Sequence, residues 1–140
     1  MLSDDSGICV DALGGAPGIF SARFSGSGAT DASNREKLAS ELRALNLDSS
    51  PAHYTAAIAL KCDLGEFCTH GFMHGTAITQ QRGHNGFGYD FMFIPRGFDR
   101  TIGELPAAVK FEISHRTKGL ALMRILLKNL EKQMRLAKFH

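Results

Sequence analysis

With 140 residues, 44% of them hydrophobic, and a formal charge of +2 from intermixed acids and bases, the sequence has enough apolar content for one core-forming domain. That balance lacks the blocked basic charge of a nucleic-acid binder. No run is long and apolar enough to span a bilayer and no signal-peptide pattern opens the chain, so it reads as cytoplasmic, with no nucleic-acid and no membrane partner. Three cysteines, Cys9, Cys62 and Cys68, contain no C-x-x-C pair and fit reduced thiols.

In chain order, Ser3-Asp4-Asp5-Ser6-Gly7 comes first. Two adjacent carboxylates between hydroxyls, followed by glycine, make either a turn whose side chains bond their own backbone or a compact corner for a hard cation such as Mg²⁺. Ile8-Cys9-Val10 with Ala12 and Leu13 reads as a short strand closed by Gly14-Gly15, which puts the acidic pair at a strand start or bend. Ala16-Pro17-Gly18 is a turn, Ile19 to Phe24 is apolar with Arg23 embedded, and Ser25 to Gly28 is a small-residue loop.

From Asp31 to Leu45 the period changes. Leu38, Leu42 and Leu45 step by four and three, and Ser33 with Glu36 forms a capping-box pattern, so an amphipathic helix is predicted. Pro51 ends the following linker. His53 to Leu60 is a covered strand, and Glu66 to Thr79 is a second one paired with it as an antiparallel hairpin through Gly65. Gly71 and Gly75 mark bulges or close backbone approach. Cys68, His70 and His74 share one strand face and can be written as a zinc set, or as half-buried strand histidines; no fourth ligand is evident.

Gly83, Gly86 and Gly88 alternate with Phe87 and Tyr89 up to Asp90, which leads into the buried strand Phe91 to Ile94. Pro106 opens a short helix to about Ile113. Ser114 caps a long helix over about 115–137, with Leu120, Met123, Leu127, Leu130, Met134 and Ala137 as its apolar stripe. His115 and Arg116 fall in its first turn, where a cation opposes the helix dipole. An acidic pair, a Gly and aromatic loop, and the cations Lys110 and Arg116 with His115 are the parts a nucleotide site needs.

Leu2 to Gly7, Ala16-Pro17-Gly18, Ser21-Ala22-Arg23, Gly83 to Asp90 and Ile113 to Arg116, in this order, closely resemble the inosine/xanthosine triphosphate pyrophosphatase family. The resemblance implies an α/β fold, with a mixed central sheet flanked by helices, and a homodimer. It also implies hydrolysis of noncanonical purine nucleoside triphosphates to monophosphate and diphosphate with Mg²⁺. By the same resemblance Asp5 is the metal-binding general base, Asp4 lies beside it at the metal, and Ser6, Phe87, Gly88, Tyr89, Asp90, Lys110, His115 and Arg116 contact substrate. Two positions depart from the family pattern: Phe91 stands where proline is usual and Phe111 where asparagine is common. The family's opening strand and helix, with a Ser/Thr-x-Asn-x-x-Lys grip on the triphosphate, has no counterpart here. The expectation is therefore an N-terminally truncated, single incomplete domain over 1–140. The alternative is a catalytically silent purine-nucleotide-binding or dimerisation fragment.

Overall fold

The computed structural model describes residues 1–137; the last three residues of the domain expected over 1–140 lie outside the described residues. Strands β1 (Leu2–Val10), β2 (Ser49–Cys62), β3 (Gly65–Ile78) and β4 (Phe93–Pro95) form one sheet in the order β1-β2-β3-β4. Every pairing among the described residues is antiparallel. Helices α1 (Asp31–Ala44), α2 (Ala107–Ile113) and α3 (His115–Ala137) complete the α/β layout, and 3₁₀ turns cover Gly18–Arg23 and Asp90–Met92.

Strand alternation decides what the sheet does. Ile8, Val10, Tyr54, Ile58 and Met73 point to one face, where Leu38 and Leu42 of α1 and Met123 of α3 are buried with them. The opposite face carries Asp5, Cys9, Thr55 and Ala57 and is more open.

The β2–β3 hairpin is as predicted, but longer: pairing runs without a bulge from Ser49↔Ile78 to Cys62↔Gly65. Pro51 therefore lies inside β2 rather than ending a linker. It is tolerated there because β1 pairing stops at Val10↔Ala52, so the missing N–H deprives no β1 partner.

Of the two readings of Gly71 and Gly75, close approach is the one observed. A Cβ on Gly71 would stand only 1.9 Å from the His115 carbonyl oxygen, and one on Gly75 2.2 Å from that of Ile94. Gly119 of α3 meets Gly71 on the same side as His115, and the Thr69 hydroxyl donates to the Gly119 carbonyl at 2.8 Å. This glycine crossing rotates α3 away from the predicted stripe. Met123 and Leu130 are buried, while Leu120, Leu127 and Met134 are exposed.

The cap of α1 also moves. Thr30 and Ser33 form the reciprocal box, three residues before the Ser33–Glu36 pair. Ser114, in contrast, accepts from Arg116 N at 3.1 Å, as a cap of α3 should. No helix of the described residues is long and apolar enough to cross a membrane.

Candidate active site

Asp4, Asp5 and Ser6 lie within β1, not in a turn. Because β1 alternates, Asp4 and Ser6 face α3 while the Asp5 carboxylate turns to the open face. Asp4 Oδ2 accepts from Arg116 Nε at 2.7 Å, which explains an Arg in the first turn of α3: a carboxylate on the neighbouring strand offsets the dipole. Asp5 Oδ1 accepts the backbone N–H of Ser6 at 3.0 Å. The two carboxylates are thus consecutive in sequence yet directed apart, with Asp4 already paired.

β1 is a sheet edge, and Ser21 satisfies part of it. Its hydroxyl accepts from Ile8 N at 2.9 Å and donates to the Gly18 carbonyl at 2.6 Å. At Gly7 the turn comes so close that a Cβ would lie 2.3 Å from the Gly18 oxygen. Any side chain at position 7 would push that turn off the strand.

The loop from Gly83 to Asp90 is held from several directions. His84 N and Asn85 N both donate to the Gly103 carbonyl at 2.9 Å. Asp90, 6% exposed, accepts from Phe87 N at 3.1 Å and from Lys110 Nζ at 2.5 Å. Gly86 has φ of 110°, and a Cβ there would strike the Asp90 carboxylate at 2.3 Å. The Tyr89 hydroxyl donates to the Ser21 carbonyl at 2.6 Å, and burial raises its pKa so that the phenol stays protonated. Tyr89 and Asp90 therefore brace the loop, whereas Phe87, 63% exposed, offers its ring, with Lys110 Nζ 4.6 Å from the ring centroid.

Ser6, Tyr54, Phe87, Gly88, Tyr89, Asp90, Lys110, His115 and Arg116 all line one open cleft of about 220 Å³. Asp5 is not among its lining residues. It borders an adjoining hollow of about 200 Å³ with Cys9, Gly18, Ile19, Thr55 and Ala57, and Ser6 and Gly7 are common to both. Of the expected site residues, the structure gathers eight in the cleft, sets Asp5 across the strand from them, and gives Asp4 a supporting contact to Arg116.

Several residues that the sequence reading passed over shape the site. Both peptide groups flanking Gly88 are held by α1: Gly88 N donates to Asp31 Oδ2 at 3.0 Å, and Arg35 Nη1 donates to the Gly88 carbonyl at 2.8 Å. Buried Asn34 donates to the Ser21 and Ala22 carbonyls and accepts from Ser25. An Asn among the apolar positions of an otherwise regular helix was the available signal. Tyr54 stacks on His115 with centroids 4.8 Å apart and planes at 15°. Phe91, the departure from the family proline, lies under the Arg35 guanidinium at 4.9 Å and against Gly103, so it has a packing role.

Burial, with smaller contributions from the Arg116, Lys110 and Lys118 charges, holds the His115 imidazole down at about 4 from an ordinary 6.5. The unfolded chain then binds a proton below pH 6.5 that the folded chain refuses until about pH 4. Stability is unaffected above that window, falls through it by about 3 kcal/mol, and levels below it. Urea unfolding at stepped pH should show this segment, and His115→Gln should flatten it.

Among the described residues no group of three or more His, Cys, Asp or Glu can hold a metal. Cys68, His70 and His74 do share a face, but that face is exposed, with Phe72 stacked between the two histidines, so the histidines are not half-buried. A Mg²⁺ ion makes a lesser demand, since it is commonly held by one or two carboxylates together with substrate phosphates and water. The exposed Asp5 carboxylate fits that mode as a single hard oxygen ligand, while Asp4 is engaged by Arg116.

Comparison with known proteins gives a consistent picture. The model of the Ham1 family matches residues 1–126. A protein of Campylobacter hominis described as a dITP/XTP pyrophosphatase is 63% identical over 94% of this chain and 65% of its own length. One from Campylobacter fetus with the same description is also 63% identical, over 94% and 64%. The structure of a HAM1 protein from Coxiella burnetii superposes with a TM-score of 0.84 at 37% identity, over 91% of this chain and 66% of that one. A nucleoside-triphosphatase / dITP/XTP pyrophosphatase from Mycobacterium abscessus gives 0.74 at 39%, over 87% and 63%. The chain therefore spans just under two thirds of the length of these relatives.

Proposed function

This chain belongs to the Ham1 family, and from that membership we propose that it hydrolyses noncanonical purine nucleoside triphosphates, namely ITP, dITP and XTP, to the monophosphate and diphosphate. One observation supports this above the others. Ser6-Gly7 joins a cleft with an exposed aromatic ring and cationic donors to a hollow bordered by a free-facing carboxylate, so a base and its phosphates can lie across one strand.

In this reading the purine stacks on Phe87. Lys110, steadied by Asp90, and Arg116, steadied by Asp4, present donors that suit a 6-oxo group; the 6-amino group of adenine would meet a donor with a donor. Across the strand, Asp5 accepts the proton of the attacking water as its oxygen bonds to the α-phosphorus and the bond to the diphosphate breaks. Mg²⁺ held at Asp5 would supply neutralisation of charge on the departing diphosphate. The chain acts as a single domain and as a cytoplasmic homodimer, without nucleic-acid or membrane partners. Exposed Leu122 and Ile125 on α3 support the pairing, and sedimentation showing only monomer at working concentration would remove it.

The test is product analysis after incubation with ITP and Mg²⁺. IMP with diphosphate is the expected pair. IDP with orthophosphate, or unchanged ITP beside retained IMP binding, would overturn the proposed activity.

Phe87→Ala should weaken IMP binding about 10- to 100-fold in calorimetry, the worth of one base stack. Because the ring is largely exposed, stability should change by no more than about 0.5 kcal/mol.

A further inference from the structure

Ser6 Oγ and His115 Nε2 are 2.5 Å apart, so one of them donates to the other. Their roles follow from what surrounds the ring. His115 Nδ1 is buried and has no hydrogen-bond partner among the described residues. If Ser6 gave its proton to Nε2, the neutral imidazole would carry its hydrogen on Nδ1 and leave a buried N–H with no acceptor. Orphaned buried donors are rarer in folded proteins than under-satisfied acceptors. With the hydrogen on Nε2, only a bare lone pair is buried.

The doubly protonated ring is disfavoured by the same burial that lowers its pKa to about 4. The ring is also fixed in orientation. It stacks on Tyr54, which in turn packs edge-on against Phe93 with centroids 4.8 Å apart, and the His115 backbone is seated on Gly71.

We infer that His115 is a positioning residue that works through Ser6: as the Nε2–H tautomer it donates to Ser6 Oγ, leaving the Ser6 hydroxyl hydrogen free to donate to an oxygen of the ligand's sugar-phosphate portion. Among the described residues Ser6 Oγ has no other hydrogen-bond partner, and Ser6 borders both the base cleft and the hollow beside Asp5. Its hydroxyl is therefore at the junction where the sugar and first phosphate of a bound nucleotide would pass. The tautomer assignment stands on the protein alone; the identity of the ligand rests on the function proposed above. On this account His115 orients a donor rather than reading the base itself.

Two measurements test this. In ¹⁵N-labelled protein at neutral pH, long-range proton–nitrogen correlation of His115, assigned by its loss in His115→Gln, should show a protonated, pyrrole-type Nε2 and an unprotonated, pyridine-type Nδ1. The reverse tautomer would overturn the inference and make Ser6 the donor to His115. Calorimetry with IMP then asks whether the two residues act as one unit. Ser6→Ala and His115→Ala should each weaken binding roughly tenfold, and the double variant no more than either alone, as for one lost hydrogen bond. His115→Gln, whose amide can place an N–H near the Nε2 position, should stay within about threefold of the unaltered chain. Additive losses, or Gln behaving like Ala, would contradict the coupling. If the unaltered chain bound no IMP, the nucleotide reading and the Ser6 donor role would fail together, while the tautomer measurement would still decide the hydrogen-bond assignment.

Discussion

Replacing Asp5 by Asn is expected to lower diphosphate release from dITP by about 10²- to 10⁴-fold, the range that a positioned proton acceptor contributes. The fold should hardly respond. Asp5 is exposed, among the described residues its carboxylate has one hydrogen bond, to the adjacent Ser6 N–H, and an amide oxygen can replace the carboxylate as that acceptor. IMP binding should also survive, because the cleft around Phe87 and Lys110 lies across the strand from Asp5. Rate and affinity measured on the same variant separate the roles. A variant that keeps most of its rate would remove Asp5 as the base, and one that loses IMP affinity in parallel would show that the two hollows are not independent. Asp4→Asn should behave differently. It removes the charge facing Arg116 and so should weaken nucleotide binding before it affects proton transfer.

Gly71→Ala should lower stability by about 1–3 kcal/mol or more in urea unfolding. The new carbon would fall 1.9 Å from the His115 carbonyl oxygen and 2.5 Å from Gly119 N, both backbone atoms that no rotamer change can withdraw. The first turn of α3 must then lift from β3, carrying His115 off Ser6 and Arg116 off Asp4. Binding of IMP should fall together with stability. A stable Gly71→Ala chain with unaltered affinity would mean that α3 is not seated by this glycine crossing.

The parts of this architecture that depend on local pattern were legible in the sequence. The Leu38 and Leu42 spacing of α1, though not Leu45, which is exposed just past the helix end, together with the turn of the β2–β3 hairpin at Gly65, the Gly and aromatic loop and the Ser114 cap, arises from residues within a few positions of one another. The acidic pair was harder to place because carboxylates are depleted in strands, and hydroxyl and glycine neighbours favour turns. Only pairing with Ile58 and Ala57 of β2 makes Asp4 and Asp5 strand residues, and only then does alternation part them. The supports of the cleft were hidden for a related reason. Asp31 and Arg35 meet Gly88, and Tyr89 meets Ser21, across more than fifty residues, so no spacing rule points to them. The stripe of α3 was misplaced because its seating is set by the smallest residue, Gly119, which an apolar periodicity does not count.

In the proposed function, with Asp5 on one side of β1 and the Phe87 to Arg116 cleft on the other, joined at Ser6-Gly7, water attacks the α-phosphorus of an oxopurine triphosphate. Turnover of dITP with Mg²⁺ in heavy-oxygen water, followed by mass spectrometry of the products, tests this most directly. One heavy oxygen in dIMP and none in the diphosphate is the expected result. Label in the diphosphate or in orthophosphate, or no dIMP at all, would contradict it.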